Sequence, residues 1–219
     1  MKANKIVMKI LFFTLLFFSP LKQSQSSSII NNKVEYLINS YNTTINENET
    51  KIKETYKENE LNRLLDSVNF YESGNREFII NQVGCMGSFQ FKESTLKLLG
   101  YNITLKKFKK NPFCFPYSLQ KEAMLKLMQA NEKSLMDFTT RINGQFKNFK
   151  NVIETWNGVI KIMPNGSEIL ITKSAILIAC HLAGIRNVIM FLYYDNDDCS
   201  DCNKTKISSY MLRFSGYKI

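Results

Sequence analysis

The residue whose type and place point most directly to chemistry is Glu72. A helix is expected from Glu54 to Tyr71, because Leu61, Leu64, Leu65 and Val68 recur at the i, i+3, i+4, i+7 spacing of a single apolar stripe. A helix advances by about 100° per residue, so the step from Leu61 to Glu72 returns the carboxylate to within about 20° of that stripe. A carboxyl group at the core-facing end of a helix is desolvated, which raises its pKa and keeps it protonated near neutral pH. That is what a general acid requires. The bland alternative is a frayed helix end that turns Glu72 to water.

Other side chains could bear on the same chemistry. His181 is the sole histidine, set in an apolar run close to a glycine stop, and reads either as a satisfied core residue or as a polar group facing a cleft. Glu77 and Glu93 are the next carboxylates after Glu72 in sequence; either one as a second catalytic carboxylate would favour hydrolysis, and otherwise both are solvated charges. Asp195, Asp197, Asp198, Asp201 and Asn203 offer hard oxygen ligands of the kind calcium takes, but without the central Gly and terminal Glu of an EF-hand loop, so no metal is assigned. The chain has five cysteines, and Cys199-Ser-Asp-Cys202 is a single C-x-x-C with no second pair, which suits a local disulfide better than a zinc site.

The elements that must position these groups are mainly helical. Residues 27–53 are rich in Ser and Asn and read as a polar, loosely ordered lead-in to a domain over 54–219. Gly74 ends the Glu72 helix, and a glycine-bearing turn at residues 84–91 leads to a short helix from Ser94 to Leu99, stopped by Gly100. A long helix is expected from Tyr117 to Asp137, and helical character from Phe138 to Trp156 with a break at Asn143-Gly144. The β-branched residues on either side of Asn165-Gly166 predict a small hairpin within 157–171. Thr172 or Ser174 then caps a helix that is apolar nearly all round and must be buried, followed by short helices over 187–194 and 206–214.

Glu72-Ser73-Gly74-Asn75, followed by Gly84-Cys85-Met86-Gly87-Ser88-Phe89-Gln90-Phe91, resembles the lysozyme-like lytic transglycosylases, in which a Glu-Ser pair precedes a Gly-Leu-Met-Gln-type or Met-Gly-x-x-Gln-Phe turn. Lys92-Glu93-Ser94-Thr95-Leu96 is similar to the segment after that turn, and Ala179-Cys180-His181-Leu182-Ala183-Gly184 sits where such enzymes carry an Ala-Tyr-Asn-Ala-Gly or Ala-His-Leu-x-Gly helix end. Lys204 to Met211 and Phe214-Ser215-Gly216-Tyr217 resemble the tail of a bacterial branch, except that Lys204 replaces its Gly and two cysteines interrupt the preceding Asp loop. The likeness spans residues 61–217.

It implies a mainly α fold like that of goose-type lysozyme and soluble lytic transglycosylases, with a small hairpin, and cleavage of the MurNAc–GlcNAc bond of peptidoglycan with formation of a 1,6-anhydro end. Glu72 would be acid and then base, Ser73 would hydrogen-bond or orient it, and Gln90 would hold the sugar. Gly84, Met86 and Gly87 would border the glycan, their alternative being a tight turn that needs glycine, and His181 would stand in the cleft where the family often has Asn. Tyr101, Phe113 and Tyr117 are either stacking platforms for sugars or packing. The resemblance implies no cofactor, a monomer, and glycan strands as the partner. A hydrolytic muramidase on the same fold and a non-catalytic exported wall-binding protein are the competing readings.

Composition limits the alternatives. With 219 residues, 44% of them hydrophobic, the chain can bury a sizeable core, and with Gly 9 and Pro 4 a collagen-like or elastin-like chain is excluded. Residues 1–26 read as a signal peptide: a basic start, the apolar run Ile10–Phe18, Pro20, and small residues at Ser24-Gln25-Ser26. The alternative is an uncleaved anchor. Export to the periplasm or the extracellular space is therefore expected, with no stable membrane insertion after cleavage. Removal of Lys2, Lys5, Lys9 and Lys22 reduces the net charge from +10 to +6, 25 basic residues against 19 acidic. That excess is modest, and no motif supports nucleic-acid binding.

Overall fold

The protein is described here by a computed structural model covering residues 26–194, 198 and 205–219. The expected signal segment lies outside these residues but for Ser26, as do the Cys199–Cys202 pair and the Asp-rich loop apart from Asp198. The chain divides into two units, one ending at Glu54 and the other running from Thr55 to Ile219.

Helix α1 spans Ser26–Ser73, so the stretch expected as a loosely ordered lead-in is helical. Its polarity forbids burial, and residues 35–59 are all exposed, but polarity does not forbid a helix. No Gly or Pro occurs between Ser26 and Ser73, and Glu47 and Glu49 stand four residues before Lys51 and Lys53, the favourable order for helical ion pairing. Thr43, Thr44 and Thr50 donate their hydroxyls to the carbonyls of Asn39, Ser40 and Asn46 one turn back.

In the second unit α1 turns Leu64, Leu65 and Val68 into the core and stops at Gly74, whose φ of +62° leaves its N–H on the Phe70 carbonyl at 2.8 Å. Helices α2 (Glu93–Leu98), α3 (Leu105–Lys110) and α4 (Tyr117–Met136) follow, with a 3-10 turn at Pro112–Cys114 before α4. In place of the expected helical continuation there is a hairpin, β1 (Asp137–Ile142) paired antiparallel with β2 (Gln145–Lys150) in the register Ile142↔Gln145. Asn143 and Gly144 both take positive φ, +49° and +80°, as a two-residue turn matched to strand twist demands. Phe138, Thr140 and Ile142 alternate inward, a period of two rather than 3.6. Only the short helix α5 (Val152–Trp156) remains of the expected one.

The second hairpin, β3 (Ile160–Ile162) with β4 (Glu168–Leu170), is antiparallel and lies where Asn165-Gly166 predicts it. Helix α6 (Lys173–Ala183) is the centre: every residue from Ser174 to Cys180 is buried, and Thr172 caps it by accepting from the Ala175 N–H at 3.3 Å. Helices α4, α7 (Ile185–Tyr193) and α8 (Ile207–Phe214) pack around it. The unit is mainly helical with two small antiparallel sheets, in agreement with the expected class. Among the described residues no helix is long and apolar enough to cross a membrane.

Ser174 ties α6 to α8: its buried hydroxyl donates to the Phe214 carbonyl at 2.6 Å. Ser174→Ala leaves that carbonyl without this partner, and urea unfolding is expected to show a loss of about 1–3 kcal/mol at an unchanged denaturant slope. A change below about 0.5 kcal/mol contradicts the assignment.

Candidate active site

The C-terminal end of α1 delivers Glu72 to one wall of a cleft of about 690 Å³. Residues 81–98 supply a second wall, Leu127, Asn131 and Phe138 a third, and Cys180 to Asn187, where α6 ends and α7 begins, the fourth. Glu72 is half-buried, and one carboxyl oxygen accepts a hydrogen bond from the Tyr210 hydroxyl of α8. Tyr210 is only 2% exposed, and Tyr71 packs edge-on against it at 5.2 Å while the Arg213 guanidinium covers Tyr71 at 4.2 Å. The carboxyl group is thus held by a side chain that is itself buried and packed.

The turn opposite Glu72 is laced by its own backbone. Met86 and Phe91 exchange both N–H···O bonds at 2.9 Å, the Gly87 N–H reaches the Ile79 carbonyl at 2.8 Å, and Asn81 accepts from the N–H groups of Val83 and Cys85. Gln90 sits at φ +52° with its side-chain amide donating to the Gly87 carbonyl at 2.8 Å. Gly87 at φ +77° has no room for a side chain: a Cβ there would lie 2.3 Å from Oε1 of Gln120. Gln120 is fully buried and bonds the Ser88 N–H and the carbonyls of Glu77 and Phe115, so it is the peg on which this turn hangs. His181 completes the site, with Nε2 at 2.7 Å from the Phe89 carbonyl and its ring edge-on to Phe91.

Glu72, Gln90 and His181 are therefore brought together in one cleft. Ser73, Met86 and Gly87 are not: all three are buried behind it, and Gly84 does not line it. None of these four lines the cleft. The Ser73 hydroxyl bonds Asn69 rather than Glu72, Met86 is core, and Gly84 and Gly87 are glycines because their positive φ and close neighbours require it. Glu77 accepts from the Tyr117 N–H at 2.6 Å and Glu93 from the Leu105 N–H at 2.8 Å, each capping the start of a helix. Neither reaches the cleft, and among the described residues Glu72 is the only carboxylate lining it.

Tyr101, Phe113 and Tyr117 do not line the cleft either. The Tyr101 hydroxyl donates to Glu122, and desolvation together with that carboxylate pushes its pKa up to about 12. Phe113 packs on Phe78, and Tyr117 stacks over Phe89, its phenol pKa raised by burial and by Asp66. Burial alone pushes the Cys180 thiol up, keeping it protonated and inert although it borders the cleft. A second cavity of about 500 Å³ lies between the β3–β4 turn and α8, but its Asp198 is engaged by the Ser208 N–H and hydroxyl at the start of α8.

Sequence reasoning missed Tyr210, Gln120 and Asn131. For Tyr210 a signal existed, since Ile207, Tyr210, Met211 and Phe214 form one helical stripe that turns the phenol inward. Comparisons with protein-family models, curated proteins and solved structures found no match to this chain.

Gly87→Ala combines a left-handed backbone with a clash against Gln120. It is expected to cost roughly 2–4 kcal/mol by urea unfolding. Stability within about 0.5 kcal/mol of the parent would mean that the turn does not hang on Gln120.

Proposed function

We propose that this protein is an exported peptidoglycan lytic transglycosylase of lysozyme-like fold, which cleaves the MurNAc–GlcNAc β-1,4 bond and leaves a 1,6-anhydro-MurNAc end. The observation that carries this reading is a cleft in which, among the described residues, Glu72 is the only carboxylate, with the next two carboxylates along the chain, Glu77 and Glu93, engaged at helix N-termini. The sequence resemblance around Glu72, Gln90 and His181 supports it, and those three residues share the cleft.

One carboxylate is enough if the substrate supplies the nucleophile. Glu72 gives its proton to the glycosidic oxygen as the bond to the anomeric carbon breaks, and the departing GlcNAc leaves as an alcohol. The oxygen of the muramyl acetamido group stabilises the positive charge on that carbon. Glu72, now a carboxylate, takes the proton of the sugar's own 6-hydroxyl, whose oxygen closes on the anomeric carbon. Glu72 ends reprotonated, no water is consumed, and no cofactor takes part. Tyr210 holds the carboxyl by one oxygen, which limits its orientation, and Gln90 and His181 line the same cleft. Two-carboxylate hydrolysis needs a second acid group across the bond, and Glu77 and Glu93 are committed elsewhere.

The test is Glu72→Gln, which keeps the shape and removes the proton. Release of soluble fragments from peptidoglycan sacculi is expected to fall by about 10²–10⁴-fold while the unfolding temperature stays the same. Activity within about threefold of the parent contradicts the role of Glu72.

A further inference from the structure

The positive charge of the chain is unevenly spread. Between Glu93 and Glu122 there are six lysines and no acidic residue. Residues 27–219 carry 25 basic and 19 acidic residues, so outside this run the two signs balance, 19 against 19. Four of the six lysines sit on α3, whose sequence is Leu-Lys-Lys-Phe-Lys-Lys. Phe108 is fully buried and sets the rotation of that helix. At about 100° per residue, Lys106 and Lys110 then stand about 160° from Phe108 on the outward face, with Lys107 and Lys109 on its flanks. All four are exposed, and among the described residues none has a carboxylate within ion-pair distance. The Lys107 ammonium donates to the Asn102 carbonyl at 3.1 Å, a neutral oxygen that leaves the charge uncompensated.

Two aromatic rings adjoin this helix. Asn111 ends α3 with its N–H on the Lys107 carbonyl, and its side chain accepts from the Phe113 N–H at 3.2 Å, so Phe113 follows directly on the lysines. Phe113 is 74% exposed and packs edge-on at 4.9 Å against Phe78, itself 37% exposed. A face that served only for solubility would need the charges and not the rings.

We propose that α3 and the Phe78–Phe113 pair form a docking face for a membrane surface that carries anionic phospholipids. Charge complementarity names the partner: the headgroup phosphates form a dense negative layer, and each lysine close to it adds to the attraction. The methylene stems of the lysines lie along apolar surface while their ammonium groups stay among the phosphates. The rings favour a lipid surface over a soluble polyanion, because only the lipid offers an acyl boundary that withdraws an exposed ring from water. With six residues and a single buried one, α3 has no apolar face to insert, so the contact is peripheral, reversible and screened by salt. None of these six residues lines the Glu72 cleft, which stays open when the face is occupied. The inference is independent of the reaction proposed for that cleft.

The test is co-sedimentation of the purified protein with vesicles of phosphatidylcholine, and with vesicles that also contain phosphatidylglycerol. Partitioning onto the anionic vesicles is expected to be about tenfold or more stronger at low salt, and Lys106→Gln with Lys110→Gln to remove about tenfold of it. Lys133→Gln with Lys150→Gln takes the same charge from exposed positions elsewhere and is expected to change partitioning by less than about twofold. Affinity of the N-terminal apolar run for lipid is common to both vesicles and to all variants, so the differences carry the result. Equal partitioning onto the two vesicles overturns the face, as does an equal loss from both lysine pairs. Phe113→Trp reads the ring directly: its emission, corrected for Trp156 measured in the parent, is expected to shift to the blue with anionic vesicles. An emission that does not move overturns the part assigned to the rings. Activity on peptidoglycan does not enter any of these readouts, so the fate of the transglycosylase reading is judged separately.

Discussion

Helix α6 is apolar on every side over Ser174–Cys180, and a helix of that kind must be enclosed. Enclosure from all directions takes several partners, and α4, α7 and α8 supply them. Two consequences reach the site. Gly184 ends α6 at the cleft, which sets His181 there on the last turn, within reach of the Phe89 carbonyl. Packing of α8 on α6, fixed by the Ser174–Phe214 bond, turns Tyr210 toward the end of α1 and so toward Glu72. The carboxyl group is positioned by a core it does not belong to.

Polar groups in the same unit are assigned with little surplus. Glu77 and Glu93 lie near the cleft in sequence, yet each closes the open start of a helix, a use that favours their charge. Gln120, also buried, satisfies three backbone groups at once and thereby requires a glycine at position 87. Among the described residues, the polar side chains lining the cleft are one carboxylate, Glu72, one imidazole, His181, the cations Lys92 and Arg186, Thr95, the Cys85 and Cys180 thiols and four amides. A single carboxylate narrows the chemistry, because on the proposed function it must both give and recover its proton.

Features that repeat along the chain were legible in the sequence. The stripe through Leu61, Leu65 and Val68 placed Glu72 at the core-facing end of its helix, the unbroken apolar run of α6 announced its burial, and Asn165-Gly166 announced its hairpin. The same Asn-Gly signal at 143–144 was overridden by the helical composition of the preceding segment. In β2 only Phe149 is buried, so alternation there is weak. Residues 27–53 misled in another way, since low hydrophobicity excludes a core position but not an exposed helix. Pairings across long separations were not legible at all. Glu77 meets Tyr117 over 40 residues and Tyr210 meets Glu72 over 138, and no periodicity encodes either meeting. For the same reason the sequence left the glycines of the 84–91 turn open between glycan contact and a tight turn, and it could not show that Gln120 and Leu105 are their neighbours.

The claim on which the account turns is that the group attacking the anomeric carbon belongs to the substrate. Digestion of sacculi by the purified protein in water enriched in oxygen-18, followed by mass spectrometry of the muropeptides, tests it directly. The account predicts products one water lighter than reducing-end fragments and free of the heavy isotope. Reducing ends carrying oxygen-18 would contradict it and make the reaction a hydrolysis.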